Sequence, residues 1–242
     1  MDFADHFSTI AARYAAYRPR YPAALVDLLA AEAPARHLAW DAGCGTGQLS
    51  VDLARRFDQV IATDPSQAQI AAAEPAPRVF YRCEPAEAST LAAASCDLVV
   101  AAQAAHWFAW PRFVAEVGRV ARPGALAALV SYGVPVFDGD APLRAYREVI
   151  ARDWPPGREH VENGYRDLRW PWPAVAAPEM ELVEHWTRDE LVGYVGTWSA
   201  TVKRVAAHGT GAVEALAAAL PERTYEVRWP LALVLARVSA RP

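Results

Sequence analysis

Hydrophobic and polar positions alternate along residues 36–131 in a way that predicts strands separated by helices. Short apolar runs predict buried strands at residues 37–42, 59–63, 78–82, 96–102 and 125–131. Helical spacing follows in between, at residues 48–57, 65–74 and 112–120, the last with apolar side chains at 113, 114, 117 and 120. This order predicts parallel βαβ units and an open sheet that is covered on both faces.

The pattern differs on either side of this core. A helical arm is predicted at residues 2–17, broken at Pro19 and Pro22, before a second helix that ends near residue 33. Across residues 133–178 the alternation stops, seven prolines intervene, and aromatic residues are interleaved. A long stretch without regular structure is typical of a lid or cap. Regular patterns return as a strand at 181–186, helices at 188–195, 197–207 and 212–220, and a last strand at 231–238.

Charge and composition narrow the class of protein. The chain has 242 residues, of which 53% are hydrophobic, and 24 Lys+Arg against 28 Asp+Glu give a formal charge of -4. This size can support a core without disulfides or metals, and the negative balance argues against binding to duplex nucleic acid. The three cysteines are far apart, which favours a reducing cytosol, and neither a signal peptide nor a membrane span is predicted. A single lysine, Lys203, together with abundant alanine, indicates a GC-rich bacterial genome.

Tryptophan is abundant and unevenly distributed, with nine residues in all. Trp40 stands alone in the first part of the chain, and the other eight begin at Trp107. We therefore expect the first half of the chain to be built differently from the second.

A glycine-rich run, Asp41-Ala42-Gly43-Cys44-Gly45-Thr46-Gly47, joins the first predicted strand to its helix. Glycine allows a tight turn and a close approach of ligand to backbone, and the helix behind it offers unpaired N–H groups. Asp64 ends the second predicted strand, at the distance where an acidic side chain can bind two ribose hydroxyls. Together these features predict a nucleoside-containing cofactor.

The spacing of the glycines distinguishes a dinucleotide from other nucleoside-containing cofactors. The dinucleotide fingerprint is G-x-G-x-x-G, whereas glycines here fall at 43, 45 and 47 and an acid, Asp41, precedes them. A carboxylate would repel a pyrophosphate but would attract the α-ammonium group of an amino acid. The run resembles the first motif of class I S-adenosylmethionine-dependent methyltransferases.

The resemblance extends over nearly the whole chain and is to the trans-aconitate methyltransferase-like branch of that superfamily. The segments that carry it are Tyr14-x-x-Tyr17-Arg18-Pro19-x-Tyr21-Pro22, Gln103-Ala104-x-His106-Trp107-Phe108, Trp154-Pro155-Pro156-Gly157-Arg158, Gly164-Tyr165-Arg166 and Thr197-Trp198-Ser199-Ala200. The chain departs from the common pattern at Pro123-Gly124-Ala125, where most members have Pro-Gly-Gly.

The resemblance implies an α/β fold: a Rossmann-like, seven-stranded, mostly parallel sheet with helices on both faces and an antiparallel last strand. It divides the chain into an N-terminal helical arm (residues 1–35), a cofactor-binding core (36–132), an aromatic cap inserted after the fifth strand (133–180), and C-terminal helices with the last sheet strands (181–242). The implied cofactor is S-adenosylmethionine, with S-adenosylhomocysteine as product. Its implied contacts are Tyr14, Arg18, Asp41, Gly43, Cys44, Gly45, Gly47, Gln48, Asp64, Pro65, Ala86, Glu87, Gln103 and Ala104.

Methyl transfer from a sulfonium is an in-line displacement that requires alignment and no nucleophilic residue, and the scattered histidines predict no metal site. His106 is the candidate catalytic residue, either orienting the acceptor or taking its proton. The candidate acceptor contacts are Tyr17, Trp107, Trp154, Arg158, Tyr165 and Trp198.

The sequence leaves the identity of the methyl acceptor open. The resemblance implies a carboxylate oxygen of a small molecule, whereas the aromatic cap favours a hydroxyl or ring nitrogen of a flat compound. We expect a cytoplasmic enzyme with no nucleic-acid or membrane partner. The alternatives are a non-catalytic module that binds S-adenosylmethionine and an NAD-dependent oxidoreductase, which the glycine spacing opposes.

Overall fold

A computed structural model of the chain describes residues 17–239, and in it a single mixed sheet organises the fold. The strands are β1 (Leu38–Ala42), β2 (Gln59–Asp64), β3 (Val79–Cys83), β4 (Cys96–Ala102), β5 (Ala121–Tyr132), β6 (Ala174–Val175), β7 (Met180–Thr187) and β8 (Thr224–Arg237). Their order is β3-β2-β1-β4-β5-β8, with β6 and β7 both on the outer edge of β8. The first five strands are parallel, and β8 runs antiparallel to β5.

The helices connect these strands and cover them. They are α1 (Ala23–Glu32), α2 (Gln48–Leu53), α3 (Gln67–Ala71), α4 (Trp110–Val120), α5 (Ala141–Val149), α6 (Arg158–Glu162), α7 (Arg188–Gly196), α8 (Ser199–His208) and α9 (Gly211–Ala219). Short 3-10 turns lie at Ala105–Trp107 and Ala151–Asp153. No helix within residues 17–239 combines the length and the apolar character that a membrane crossing requires.

Two hydrophobic cores lie on opposite faces of the sheet, because successive side chains of a strand point to opposite sides. Ala39 belongs to the core that also contains α1 and α2, whereas its neighbour Trp40 belongs to the core that contains α4. The same alternation along β4 and β5 explains why these strands read as continuous apolar runs.

The structure confirms the predicted fold class and all seven predicted strands, with three differences. The strand β5 begins at Ala121, four residues before the predicted start. The described sheet has eight strands, because the short β6 is added beside β8. The last strand begins at Thr224, seven residues before the predicted start, because the register of β7 pairs it with the first half of β8. That half alternates buried and exposed side chains, so its sequence lacks the apolar run used for prediction.

The segment after β5 was expected to lack regular structure, and this expectation is wrong. It contains α5, α6 and the strand β6. The helix α5 buries only Leu143 and Tyr146, and α6 spans five residues, so each leaves a weak periodic signal among the prolines.

Eight of the nine tryptophans separate into two groups rather than forming one acceptor half, and the ninth, Trp107, packs against His106. Trp40, Trp110 and Trp170 surround Phe113 on the α4 side, with the Trp110 and Trp170 rings 4.8 Å apart and Trp172 packed against Trp170. On the opposite face, Trp154, Trp186, Trp198 and Trp229 gather around Tyr194. Much of the tryptophan excess therefore builds the core rather than a ligand site.

Candidate functional site

The glycine turn joins β1 to α2 at the point where the strand order reverses between β1 and β4, which is where open α/β sheets bind ligands. Gly43, Gly45 and Gly47 all have positive φ, at 72°, 55° and 83°. A Cβ at Gly43 would lie 2.5 Å from the Cβ of Ala104, and one at Gly47 would lie 2.1 Å from Tyr81 Oη. Gly43 and Gly47 are thus required by close packing within the protein.

Gly45 differs, because the nearest atom to a Cβ there would be Gln69 Oε1, at 3.9 Å. Among the described residues Gln69 Oε1 is a buried oxygen without a hydrogen-bond partner, although the residue itself is 3% exposed. A buried acceptor of this kind beside an open turn suits a ligand that brings N–H or O–H groups.

Asp64 links the end of β2 to this turn. Gly45 N donates to its Oδ2 at 3.0 Å and Ser66 N donates to its Oδ1 at 2.9 Å. The carboxylate is therefore oriented from two sides at the edge of the turn, as the binding of paired ribose hydroxyls requires.

Asp41 lies beneath the turn and is 1% exposed. Burial is the main cause that raises its pKa from 3.8 to about 7, and the nearby Asp64 carboxylate also raises it. The hydrogen bond from Ser50 Oγ acts in the opposite direction. A buried carboxyl near its midpoint at neutral pH is prepared to ionise when a cation arrives.

A pocket of about 600 Å³, including its open mouth, lies at the carboxyl ends of β4 and β5. Gln103 follows β4 with a strained φ of 55°, and its Nε2 donates to the carbonyl oxygen of Tyr132 at 2.6 Å. The residues that line the pocket are Arg18, Gln103, His106, Trp107, Tyr132, Gly133, Trp154, Pro155, Arg158, Val161, Tyr194, Trp198 and Ser199.

Two arginines give this pocket its charge, and no carboxylate is present among the lining residues just named. Arg18 lies with its guanidinium 5.4 Å from the centre of the Tyr194 ring and donates to Thr197 O at 3.4 Å. Arg158 lies 4.1 Å from the centre of the Trp154 ring and 3.4 Å from Glu162 Oε1. Such sites favour an anionic ligand.

His106 forms part of the same wall. Its Nδ1 lies 2.8 Å from Tyr165 Oη, and its ring is 4.9 Å from that of Trp107. Burial is the main cause that lowers the pKa of His106 to about 3, and the positive Arg158 lowers it further. The imidazole is therefore neutral at physiological pH.

The structure brings most of the predicted contacts to two adjoining places. Gly43, Gly45, Gly47, Asp41, Asp64 and Pro65 surround the turn, while Arg18, Gln103, His106, Trp107, Trp154, Arg158 and Trp198 line the pocket. Gln48 connects them, since its Nε2 donates to Arg18 O at 3.4 Å. Cys44 Sγ donates to Gly45 O within the turn, and Ala104 packs against Gly43.

Other predicted contacts lie elsewhere. Tyr14 is outside the described residues, and the ring of Tyr17 packs against Gly193 in α7. Tyr165 was predicted to contact the acceptor directly, but it is fully buried behind His106 and is not among the lining residues. Ala86 is buried, and the Glu87 carboxylate accepts from Ala109 N at 2.7 Å, at the start of α4.

Sequence reasoning missed Tyr132 and Tyr194. Tyr132 ends β5 at the ligand edge of the sheet, so extending the predicted strand by one residue would have found it. Tyr194 lies within α7, and its helical spacing marks it only as buried.

Comparison with known proteins agrees with this geometry. The methyltransferase domain family matches residues 40–129. An inferred methyltransferase of Dictyostelium discoideum is 34% identical over 204 residues, covering 81% of this chain and 78% of that protein. An uncharacterized methyltransferase of Mycobacterium tuberculosis is 32% identical over 199 residues, covering 82% of this chain and 78% of the other.

A solved structure, described as an inferred type II methyltransferase from Anaeromyxobacter dehalogenans, is 47% identical with a TM-score of 0.84. It covers 93% of this chain and 100% of its own. The chain belongs to the class I S-adenosylmethionine-dependent methyltransferases. The cofactor of this methyltransferase is S-adenosylmethionine, and Asp64, Gly45 and the buried oxygen of Gln69 fit its nucleoside end.

Proposed function

We propose that this methyltransferase transfers a methyl group to a carboxylate oxygen of a small, flat organic acid. The observation that carries the proposal is the pair of arginines, Arg18 and Arg158, in a pocket whose described lining includes no carboxylate. Guanidinium groups bind carboxylates in a bidentate way, so two of them in one pocket favour an anionic acceptor.

The aromatic walls support a flat acceptor. The Trp154 and Trp198 rings are 5.6 Å apart with planes tilted by 39°, and Tyr194 meets Trp198 edge to face at 5.7 Å. Arg158 stacks over Trp154, so the guanidinium and the indole together form one side of the pocket. A conjugated acid can place its body against the indoles and its charge against the arginine.

The chemistry requires no base. When bound, S-adenosylmethionine supplies an electrophilic methyl group on a sulfonium. The acceptor oxygen uses a lone pair to form the new O–CH₃ bond while the S–CH₃ bond breaks, giving an ester and a thioether. The negative charge of the carboxylate and the positive charge of the sulfonium cancel, and no proton moves.

We propose that the protein's residues orient the reacting groups and exclude water from them. Gln103 holds the ends of β4 and β5 together beside the reacting groups, and His106 contacts the acceptor. We propose that the predicted arm at residues 1–35 and the cap at residues 133–180 close over the site, and that Tyr14 contacts the cofactor. For the adenine we propose the Ala86 backbone, since the Glu87 carboxylate is occupied at α4.

The resemblance to the trans-aconitate branch also supports an acid as acceptor. Transfer to a phenol is less well supported, because it needs a base and the low pKa of His106 makes the imidazole a weak one. A neutral ring nitrogen needs no base, but it brings no negative charge to the two arginines of the pocket.

The test is a turnover assay that follows S-adenosylhomocysteine release. Benzoate, cinnamate and unsaturated dicarboxylates are compared with phenol and benzamide, which present similar bodies without the carboxylate. We expect turnover with at least one acid and a product that alkali hydrolyses to methanol, as a methyl ester does. Turnover confined to phenol or benzamide, with an alkali-stable product, would overturn the proposal.

Arg158→Gln provides the matched variant. We expect kcat/KM for the acid to fall by about 10- to 100-fold, because one charge-assisted pair is lost. Arg152→Gln is the control, since Arg152 is an exposed arginine of the same cap that does not line the pocket.

A further inference from the structure

The imidazole of His106 is held from behind by a tyrosine that no ligand in the pocket can reach. Tyr165 is 0% exposed, its Oη lies 2.8 Å from His106 Nδ1, and the two rings are nearly parallel at 6.1 Å. Since Nδ1 is engaged there and His106 lines the pocket, Nε2 is the ring nitrogen that can meet an acceptor.

Groups around His106 keep the ring neutral. Burial is the main cause that lowers the pKa of His106, and the nearby Arg158, His160 and Arg18 lower it further. His160 is itself paired with Asp167. A neutral imidazole carries one proton, so either Nδ1 or Nε2 bears it.

The hydrogen bond to Tyr165 decides between them. A phenolic O–H is a better donor than an imidazole N–H, and an imidazole lone pair is a better acceptor than a phenolic oxygen, so the pair is more stable with Tyr165 donating to Nδ1. The proton of the ring then resides on Nε2. An anionic acceptor reinforces this choice, because an Nε2 lone pair would repel a carboxylate while an N–H attracts it.

We infer that Tyr165 is a positioning residue that holds His106 as the Nε2–H tautomer, so that His106 donates a hydrogen bond to the acceptor carboxylate and does not serve as a base. This inference rests on the proposed function, and it assigns His106 one of the two roles that the sequence left open.

Tyr165, which holds the His106 ring, belongs to the cap. Tyr165 has a φ of 60°, and its N donates to His160 O at 2.7 Å, so α6 and the turn after it place the phenol. At the other end of α6, a Cβ at Gly157 would lie 2.8 Å from the carbonyl oxygen of His106. The cap thus packs against the backbone of His106 and also orients its ring.

The test is nitrogen-15 NMR of histidine-labelled protein with S-adenosylhomocysteine bound. The His106 signals are those missing from His106→Gln. We expect an unprotonated Nδ1 and a protonated Nε2 that do not change between about pH 6 and about pH 8. A protonated Nδ1, or an imidazolium appearing within this range, would overturn the inference.

Tyr165→Phe removes the hydroxyl and keeps the ring. We expect the tautomer preference to disappear and the two ring nitrogens to show averaged, partly protonated shifts. Tyr146→Phe is the control, because it deletes another buried hydroxyl, which donates to Thr201 Oγ1 at 3.0 Å away from His106. An unchanged Nε2–H tautomer in Tyr165→Phe would overturn the role of Tyr165.

Turnover measurements provide an independent test once an acid that the enzyme methylates has been found. Glutamine can place an amide N–H near the position of Nε2 but cannot act as a base. We therefore expect His106→Gln to keep turnover within about tenfold of wild type and His106→Ala to lose considerably more. Equal losses in both would overturn the donor role. The NMR readout needs no acceptor, so it can fail while the proposed function stands. An absence of acid turnover would reject the proposed function and with it the donation from His106 to a carboxylate, whereas the tautomer held by Tyr165 would stand.

Discussion

Ser50 Oγ donates a 2.6 Å hydrogen bond to Asp41 Oδ2 in the interior of the protein, beneath the glycine turn. The bond fixes the carboxyl whose pKa burial raises to about 7. We therefore expect the charge of Asp41 to depend on pH near neutrality and to respond to a cationic ligand.

The first prediction concerns stability without cofactor. The unfolded chain loses the Asp41 proton near its ordinary pKa of 3.8, whereas the native state keeps it up to about 7. The native state therefore binds more protons in this window, and the contribution of Asp41 to the free energy of unfolding falls as pH rises through it. Asp41→Asn removes this fall while keeping an oxygen for Ser50. By urea unfolding we expect its stability relative to wild type to increase from about pH 4 to about pH 8 by on the order of 3 kcal/mol.

Ser50→Ala serves as a companion variant. It removes the hydrogen bond that lowers the pKa of Asp41, so the wild-type decline in stability should extend to higher pH. A pH-independent difference between wild type and Asp41→Asn would contradict the prediction.

The second prediction concerns proton release on binding. The α-ammonium group of S-adenosylhomocysteine favours the ionised form of Asp41, so binding near pH 7 should expel a fraction of a proton and become tighter as pH rises. Calorimetric titrations in two buffers of different ionisation enthalpy measure this release. Asp41→Asn should release correspondingly less, and equal release by both proteins would remove Asp41 from the cofactor site.

The third prediction concerns Asp64. Asparagine has one side-chain oxygen in place of two, so Asp64→Asn can no longer accept from both Gly45 N and Ser66 N as a carboxylate does. We expect the Kd for S-adenosylhomocysteine to rise by about 10- to 100-fold, since charge-assisted hydrogen bonds to ribose are lost as well. Asp58→Asn, an exposed change just before the same strand, should leave the Kd unchanged.

The fourth prediction distinguishes two reasons why a position requires glycine, a positive φ and a lack of space for a side chain. Gly47 and Gly124 both have positive φ, but a Cβ at Gly47 meets the Tyr81 ring and one at Gly124 meets nothing within 4 Å. Gly124→Ala should therefore cost only the left-handed backbone, about 1–2 kcal/mol. Gly47→Ala should cost more and should also weaken cofactor binding. Thermal unfolding and calorimetry measure both, and equal destabilisation would argue against the clash.

The fifth prediction uses the two tryptophan groups. Trp170 packs on Trp110 and Phe113, and its Nε1 donates to Val234 O at 3.1 Å, on the face away from the pocket. Trp170→Leu should lower stability by about 2–4 kcal/mol and leave the KM for an accepted acid unchanged. Trp154→Leu should instead raise the KM for the accepted acid and should lower the stability by less than Trp170→Leu does. A KM effect as large in Trp170→Leu would reject the separation.

Much of the cofactor half could be predicted from local pattern. Four of the five parallel strands, β1, β2, β4 and β5, read as apolar runs because both of their faces are largely buried, and the glycine turn was placed by the residues at 41, 43, 45, 47 and 64. The cap could not be predicted in this way. Its helices are short, and they gain their stability from contacts with β5, α8 and α9 that lie far away in the sequence.

The sequence by itself determined the sheet, the cofactor turn and the family, because these depend on residues within one βαβ unit and on hydrophobic alternation. The tertiary structure decided which aromatic residues serve the pocket and which serve the core, since Trp170 and Trp154 are indistinguishable by composition and differ only in the sheet face that they meet. The tertiary structure also decided the protonation state and the orientation of the His106 ring. That ring is neutral and anchored because burial, Arg158 and Tyr165 converge on it from segments more than fifty residues away along the chain.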